Sequence, residues 1–313
     1  MVHSEQRVTS PQTLSKVNDS QSKKDNYPAS MTLNMGQGDQ KPTLSTATLP
    51  QNTPQVIGDI ARNLRRCTQK EIRHGNIGGY ILGTRVPPEL VDPEVDDHRG
   101  VFGIKCRVTY DAETQLMIAQ IPCNPHAVAV GDFGQEIMMQ SFRKGDHSEL
   151  MGIGSATFID GNLQKEPAAC FCPFTVPPGR TRKWQTLVVE SGWYENPTHL
   201  QMDANIWIGR SEANVKVVIL ISMTKDRDAL VLEKWIPGNP PRTRSCASFF
   251  AYREQSVRIF RYGNGAVRTA GDPLIIRFEE VFLRPPNSPL EQDYELDQTT
   301  LISIAEDAWN MPI

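Results

Sequence analysis

Acidic residues stand beside short apolar runs in the middle of the chain, between residues 165 and 223. Glu190 ends the apolar run 186–189, so a strand there places its carboxylate where a sheet edge opens to solvent. Asp203 lies in a segment whose apolar residues recur at helical spacing. Carboxylates of this kind are the hard oxygen ligands that Mg²⁺ requires when it activates water for hydrolysis. Glu190 and Asp203 are therefore the candidate site residues of this segment.

A strand, a helix and a second strand are predicted to position these carboxylates. The run 186–189 is the first strand, and Leu200, Ala204, Trp207 and Ile208 form one apolar face of the helix. The run 215–221 is β-branched and short, which favours a buried strand over a helix. This order puts two apolar strands side by side in one sheet, with the helix packed across them.

The same segment resembles the restriction-endonuclease-like PD-(D/E)XK superfamily, and most closely a family that is abundant in fungal genomes. The likeness extends loosely from about residue 122 to the C-terminus. It implies an α/β (α+β) fold with a central mixed β-sheet flanked by helices, extra β-hairpins and a disordered N-terminus. The matching residues are Lys165, Glu166 and Pro167, then 184–192, Leu200, Asp203, Ala204, Trp207, 215–221 and Glu233 to Trp235.

The chain departs from the family pattern at two of the three positions that carry the chemistry. In active members two carboxylates on neighbouring strands hold Mg²⁺, and a lysine beside the second carboxylate orients the attacking water. Here Ala168 stands in the place of the first carboxylate, Glu190 in that of the second, and Gly192 in that of the lysine. Some relatives carry the lysine on the following helix, but the equivalent position, near Trp207, has none. We therefore expect a catalytically degenerate nuclease core.

Other residues could replace the missing groups, which leaves two alternatives open. In the first, the chain is a weakly active Mg²⁺-dependent DNA endonuclease whose catalytic residues are Glu190, Asp203, Glu166 and Lys165. Glu190 and Asp160 are then the candidate metal ligands, and Lys183 is a second candidate lysine. In the second, the chain is a non-catalytic module that binds protein or nucleic acid. Glu190 and Asp203 also fit plain structural roles, as a loop cap or in an ion pair.

Composition separates an N-terminal tail from one folded domain. Residues 1–55 are rich in Ser, Thr, Gln and Pro and lack apolar periodicity, so we predict that they are disordered. The remaining 56–313 are long enough for a single α/β domain, with its core at about 122–236 and closing elements at 244–313. The sequence shows no secretory signal and no apolar run that could span a membrane. We expect an intracellular protein, cytoplasmic or nuclear.

The charge of the chain indicates whether nucleic acid is a plausible binding partner. The chain has 33 Lys and Arg against 36 Asp and Glu, a net charge of −3, which argues against strong nonspecific DNA affinity. One basic cluster, residues 65–74, could meet phosphates, although a solvated helix face is the favoured explanation for it. A predicted helix at about 126–140 offers Glu136, or alternatively Asp132, as a further acidic residue near the site. Lys216 is predicted to face solvent, because it alternates with Val215 and Val217 on a strand.

Overall fold

The computed structural model of the protein describes residues 41–57, 60–92, 99–238 and 249–312. Within these ranges, no helix is long and apolar enough to cross a lipid bilayer. The helices are α1 (Ile60–Arg73), α2 (Arg99–Phe102), α3 (Asn124–Lys144), α4 (Pro197–Arg210), α5 (Phe278–Phe282) and α6 (Gln298–Asn310). The strands are β1 (Gln55–Val56), β2 (Tyr80–Thr84), β3 (Arg107–Asp111), β4 (Leu116–Gln120), β5 (Leu150–Gly152), β6 (Phe158–Asp160), β7 (Leu163–Lys165), β8 (Ala169–Pro173), β9 (Leu187–Trp193), β10 (Val217–Met223), β11 (Ala229–Pro237), β12 (Ala251–Arg261), β13 (Val267–Ala270), β14 (Leu274–Ile276) and β15 (Tyr294–Leu296).

A seven-stranded mixed sheet forms the centre of the domain. Its strand order is β13–β12–β11–β10–β9–β8–β5, and β9 and β10 run parallel while the other pairs are antiparallel. Residues of β9 and β10 alternate between its two faces. Val189 and Ile219 belong to the cluster of α3 and α6, whereas Val188 and Val218 pack with α4. Because both faces are covered, β10 is apolar almost throughout, as is typical of fully buried strands.

A second mixed sheet, of six strands, packs against the other side of α4. Its order is β1–β2–β4–β3–β7–β6, and only β1 and β2 are parallel in it. Met202 and Ile206 of α4 contact Tyr80 and Leu163 of this sheet. Helix α4 therefore lies between the two sheets, and side chains from β3 and β7 can meet side chains from β9 beside it. The sheet β14–β15 is a separate two-stranded pair.

The structure confirms the predicted fold class, a mixed α+β domain with a central mixed sheet flanked by helices. The strand–helix–strand prediction is confirmed by the parallel pair β9–β10 with α4 packed on it. The predicted tail differs in its last part. Residues 41–56 lie on the domain, where Leu44 is 7% exposed in the cluster of Met202 and Ile206. Apolar residues this sparse show no periodicity, so composition alone does not reveal their packing. Residues 1–40 lie outside the described residues.

The C-terminal elements are tied to the large sheet by a buried lysine. Lys234 of β11 is 1% exposed, and its Nζ lies 2.7 Å from Glu254 of β12 and 2.7 Å from Glu280 of α5. An ammonium this deep is stable only because two carboxylates compensate for the loss of its hydration. The pair of contacts also fixes α5 against the sheet.

Replacing Lys234 by alanine should lower the free energy of unfolding by about 2 kcal/mol, because Glu254 and Glu280 lose the buried cation that they share and keep only the more exposed Arg277. Urea denaturation followed by circular dichroism measures the change. Lys225→Ala is the matched control, since Lys225 is exposed and should have an effect within about 0.5 kcal/mol. Equal stability of the two variants would contradict the structural role of Lys234.

Candidate functional site

Glu190 lies at the centre of a buried ion-pair network, and both of its carboxylate oxygens are occupied. Its Oε1 accepts a hydrogen bond from Trp207 Nε1 at 2.7 Å and lies 3.1 Å from Lys165 Nζ. Its Oε2 accepts from Arg107 Nη1 at 2.7 Å. Glu190 is only 2% exposed, so these three groups replace the water that a free carboxylate would bind.

Lys165 joins Glu190 to the second buried carboxylate. Its Nζ lies 2.7 Å from Asp203 Oδ1 and donates a longer bond of 3.4 Å to Thr109 Oγ1. Lys165 and Asp203 are each 5% exposed. The ammonium group therefore sits between two carboxylates, at hydrogen-bond distance from both. We call Arg107, Lys165, Glu190, Asp203 and Trp207 the buried network.

Local structure explains why these side chains converge. Thr109 of β3 is the cross-strand partner of Lys165 of β7, so both point to one face of the small sheet. Arg107 lies two residues before Thr109 and shares that face. Asp203 and Trp207 are four residues apart on α4 and project from the same side of the helix. Glu190 meets them because the even-numbered residues of β9 face α4.

The charges of the buried network stabilise one another. Burial is the largest single effect on Asp203 and opposes its ionisation, yet its neighbours, Lys165 foremost, together outweigh burial and hold the pKa of Asp203 below its ordinary value. The pKa of Lys165 is raised although burial opposes its charge, because Asp203 and Glu190 both favour the protonated amine. Burial lowers the pKa of the neighbouring His199, which is therefore neutral near pH 7. The two positive charges of Arg107 and Lys165 thus equal the two negative charges of Glu190 and Asp203.

These residues do not fit a magnesium ion. The cavity beside Glu190, Asp203 and Glu166 has a volume of about 20 Å³, which is room for about one water molecule. Each oxygen of Glu190 already faces a donor, and the Lys165 ammonium lies where a bridging metal would have to lie. In the part of the chain that the structure describes, no three His, Cys, Asp or Glu residues are grouped so as to hold a metal.

The structure shows what surrounds the two departures from the family pattern. The backbone N–H of Ala168 donates to Val189 O at 2.9 Å and continues the β8–β9 ladder, so Ala168 lies across from Glu190. Ala168 brings no ligand oxygen to this position. At Gly192 a Cβ atom would lie 3.2 Å from Tyr80 Oη and 3.3 Å from Leu200 Cδ2. A side chain there would require the Tyr80 hydroxyl and the Leu200 methyl groups to shift by a few tenths of an ångström.

The remaining predicted site residues divide into two groups. Glu166 lines the small cavity, where it accepts hydrogen bonds from Thr157 Oγ1 at 3.1 Å and from Val108 N at 3.4 Å. Asp160 does not line it, and its Oδ1 pairs with Lys183 at 2.7 Å. Glu136 lies 3.7 Å from Arg143 and accepts from Gln140, outside the buried network. The structure thus brings together Glu190, Asp203 and Lys165, with Glu166 beside them.

Sequence analysis missed Arg107, which supplies the second cation. Besides Glu190, its guanidinium donates to Gln120 Oε1 and, at 3.0 Å, to Ser191 O. Arg107 and Glu190 are 83 residues apart on different sheets, so no local spacing links them. The only available signal was the strand alternation that places Arg107 and Thr109 on one face of the predicted hairpin.

A larger groove lies next to the buried network. It has a volume of about 560 Å³ and runs between α3 and the start of β8, past Val130, Ala168 and Phe171. Arg107 and Gln120 line both the groove and the small cavity, so their paired side chains separate the groove from Glu190. His126 lines the groove, and burial lowers its pKa to about 3, which keeps it uncharged.

Comparison with solved structures gives a weak likeness of fold. No protein-family model matches the chain, and no curated protein matches it. A solved structure from Anabaena variabilis ATCC 29413, described as a "putative nuclease belonging to DUF820", is similar with a TM-score of 0.32 and 9% identity, over 63% of this chain and 90% of that one. A likeness at this level carries no argument about function. The resemblance to a family abundant in fungal genomes stays a prediction.

Replacing Lys165 by methionine should lower the free energy of unfolding by about 3–5 kcal/mol, because it leaves a buried carboxylate uncompensated. Asp203→Asn in the same background should restore part of the loss, with a coupling energy of about 2 kcal/mol between the two sites. Urea denaturation of the two single variants and the double variant measures this coupling. Strictly additive losses would contradict direct pairing of Lys165 with Asp203.

The stability of the buried network should depend on pH in a defined direction. The pKa of Asp203 is depressed below 3.8 in the folded state, so its contribution is present above pH 3.8 and is lost as the pH falls through the folded pKa. The pKa of Lys165 is raised above 10.5, so its contribution is present below pH 10.5 and is lost at higher pH. Relative to Lys165→Met/Asp203→Asn, the wild type should keep a constant advantage from about pH 5 to 9 and lose it in acid. An advantage that grew as the pH fell below 3.8 would contradict the assignment.

Proposed function

We propose that this chain is a PD-(D/E)XK nuclease-like protein in which an internal ion-pair network has replaced the metal site, and that it acts by binding rather than by cleavage. The observation that carries the proposal is the Lys165 ammonium, which lies 2.7 Å from Asp203 and 3.1 Å from Glu190. In an active site of this type the metal would occupy the space between such carboxylates.

Charge makes the ammonium and a metal mutually exclusive. With Arg107, Lys165, Glu190 and Asp203 ionised, the buried network is neutral, and Mg²⁺ would add two positive charges to a site with almost no water, where Glu166 is the remaining carboxylate. Moving Lys165 away from Glu190 and Asp203 would also be unfavourable, because its ammonium would then be buried without a carboxylate. The network therefore opposes metal binding as well as occupying the position.

Access supports the same proposal. A phosphodiester would have to approach Glu190 from the groove beside α3, because the small cavity holds about one water molecule. The Arg107 guanidinium closes that approach by bonding to Glu190, Gln120 and Ser191 at once. Opening it would break several charge-assisted hydrogen bonds of a half-buried arginine.

The exposed face of α1 favours nucleic acid over protein as the partner. Arg62, Arg65, Arg66, Lys70 and Arg73 are all exposed on this helix. The one acidic residue of α1, Glu71, is 8% exposed and accepts a hydrogen bond from Asn76, so it does not offset the exposed charge. A helix face this rich in exposed cations is the electrostatic feature that phosphate backbones recognise, even in a chain whose net charge is −3.

The alternative function is a Mg²⁺-dependent DNA endonuclease with rearranged ligands. One observation favours it: Glu190, Asp203 and Lys165 are assembled in direct contact, and a carboxylate pair with a lysine is the set that such chemistry uses. This alternative requires Lys165 to leave at least one carboxylate and Arg107 to release Glu190. The same experiment separates the two functions.

We expect no metal-dependent nicking of supercoiled plasmid by the wild type in Mg²⁺ or Mn²⁺, and the same background rate for Glu190→Gln. Electron paramagnetic resonance of Mn²⁺ added to the wild type should show no saturable bound fraction. This second measurement does not depend on whether the variant folds. Nicking that requires Glu190, together with saturable Mn²⁺ binding, would establish the endonuclease instead.

Alanine at Arg66, Lys70 and Arg73 together should weaken DNA binding and reduce its salt dependence, by up to about 0.9 in the log–log slope for each phosphate that the variant no longer neutralises. Fluorescence anisotropy with a labelled duplex and a labelled single strand over a salt series measures both quantities.

A matched triple variant removes the same charge elsewhere, at Arg143, Lys225 and Arg268, and should keep most of the affinity. Equal losses in the two triple variants would mean that only total charge matters. Absence of salt-dependent binding by the wild type would shift the proposal to a protein partner.

A further inference from the structure

A second pocket, away from the buried network, contains two cations that have no carboxylate partner among the described residues. It has a volume of about 550 Å³ and lies beside the N-terminal ends of β9 and β10, bordered by the end of α5. Its lining includes Arg180, Asn214, Lys216 and Glu279, and prolines 177 and 285. We call it the Arg180 pocket.

Backbone carbonyls, not carboxylates, hold the two central cations of this pocket. Arg180 Nη2 donates to Asn214 O at 2.7 Å and to Trp184 O at 3.2 Å, and Lys216 Nζ donates to Ala213 O at 2.8 Å. Among the residues that the structure describes, neither forms an ion pair with an acidic side chain. Arg284, which also lines the pocket, by contrast pairs with Glu149 and Glu291.

In this arrangement the charges of Arg180 and Lys216 have no carboxylate partner among the described residues, and one hydrogen-bond donor of Arg180 has no acceptor. Arg180 Nε is buried and has no hydrogen-bond partner. Burial lowers the pKa of Lys216, and the charge of Arg180 lowers it further. Two half-buried cations that repel each other are unfavourable unless an anion enters between them. Lys216 is thus half-buried in this pocket rather than facing open solvent as its strand position predicts.

We propose that the Arg180 pocket binds a small phosphate monoester, with the phosphate held by Arg180 and Lys216. The guanidinium of an arginine and the ammonium of a lysine together carry two positive charges. They therefore match a phosphate dianion better than they match a carboxylate with its single charge. The pocket is several times larger than a phosphate ion and lies within the range of about 300–1,000 Å³ that is usual for small-molecule sites. Asn214 and the exposed Glu279 offer hydrogen bonds to hydroxyl groups, as on a sugar. This inference does not rest on the proposed function.

A structural explanation exists and makes the opposite prediction. The carbonyls of Ala213 and Asn214 follow the C-terminal end of α4, where cations are favoured by the helix dipole. If Arg180 and Lys216 serve only to cap these carbonyls, Lys216→Met removes a favourable contact and lowers the melting temperature in every buffer. If the pocket awaits an anion, Lys216→Met relieves repulsion when no anion is present.

Thermal unfolding at low ionic strength distinguishes the two explanations. In phosphate-free buffer, Lys216→Met should melt at the same temperature as the wild type or higher. Orthophosphate should raise the melting temperature of the wild type more than sodium chloride of equal ionic strength does, and Lys216→Met should lose this difference. Lys225→Met, which changes an exposed lysine outside the pocket, should keep it. A lower melting temperature for Lys216→Met without phosphate, or an unchanged phosphate effect, would overturn the proposal.

Calorimetric titration then tests the ligand class with the full chain. Ribose 5-phosphate and adenosine monophosphate should bind more tightly than orthophosphate, and adenosine should not bind. Arg180→Met and Lys216→Met should each weaken phosphate-ester binding about tenfold or more, the loss of one charge-assisted hydrogen bond. Binding at alkaline pH should take up protons, because a bound dianion raises the pKa of Lys216. Equal affinity for adenosine and its monophosphate would exclude recognition of the phosphate.

Discussion

The contact of Lys165 with Asp203 and Glu190 is the constraint on which the arrangement of the two sheets depends. Lys165 belongs to β7 of the small sheet, Glu190 to β9 of the large sheet, and Asp203 to the helix between them. Because each of these groups is at most 5% exposed, none can be ionised there without the others. A relative movement of the two sheets that separated these groups would leave a charge unpaired in an interior with almost no water. The buried network therefore favours a single arrangement of the two sheets around α4.

The same constraint limits which groups the oxygens of Glu190 can bind. A metal ligand needs a free carboxylate oxygen, and both oxygens of Glu190 are occupied here by internal donors. Trp207 and Arg107 complete the coordination of Glu190 in place of solvent. A catalytic site on this scaffold would have to give up part of this stabilisation, since exposing strained or unpaired polar groups is the usual cost of activity.

Much of the central fold could be predicted from the sequence, because its signals are local. Apolar runs and helical spacing placed β9, α4 and β10 correctly, and the residues that resemble a nuclease family placed Glu190, Asp203 and Lys165 in one region. The features that the sequence did not predict depend on contacts between residues far apart in the chain. Arg107 reaches Glu190 across 83 positions, and Leu44 packs on α4 from a segment whose composition indicates disorder. Lys216 was assigned to solvent because strand alternation says nothing about the loop that covers a strand end.

The net charge of the chain is a poor guide to its local charge, because the balance of cations and anions differs between the buried network and the surface. In the buried network the cations and anions are equal in number, so Arg107, Lys165, Glu190 and Asp203 together carry no net charge. On the exposed face of α1 and in the Arg180 pocket, cations outnumber acids, although the whole chain carries a charge of −3. Local imbalance, not the total, sets the potential that an approaching anion meets within a Debye length of about 8–10 Å. An acidic protein can therefore attract anions locally at its surface, as we propose for α1 and the Arg180 pocket.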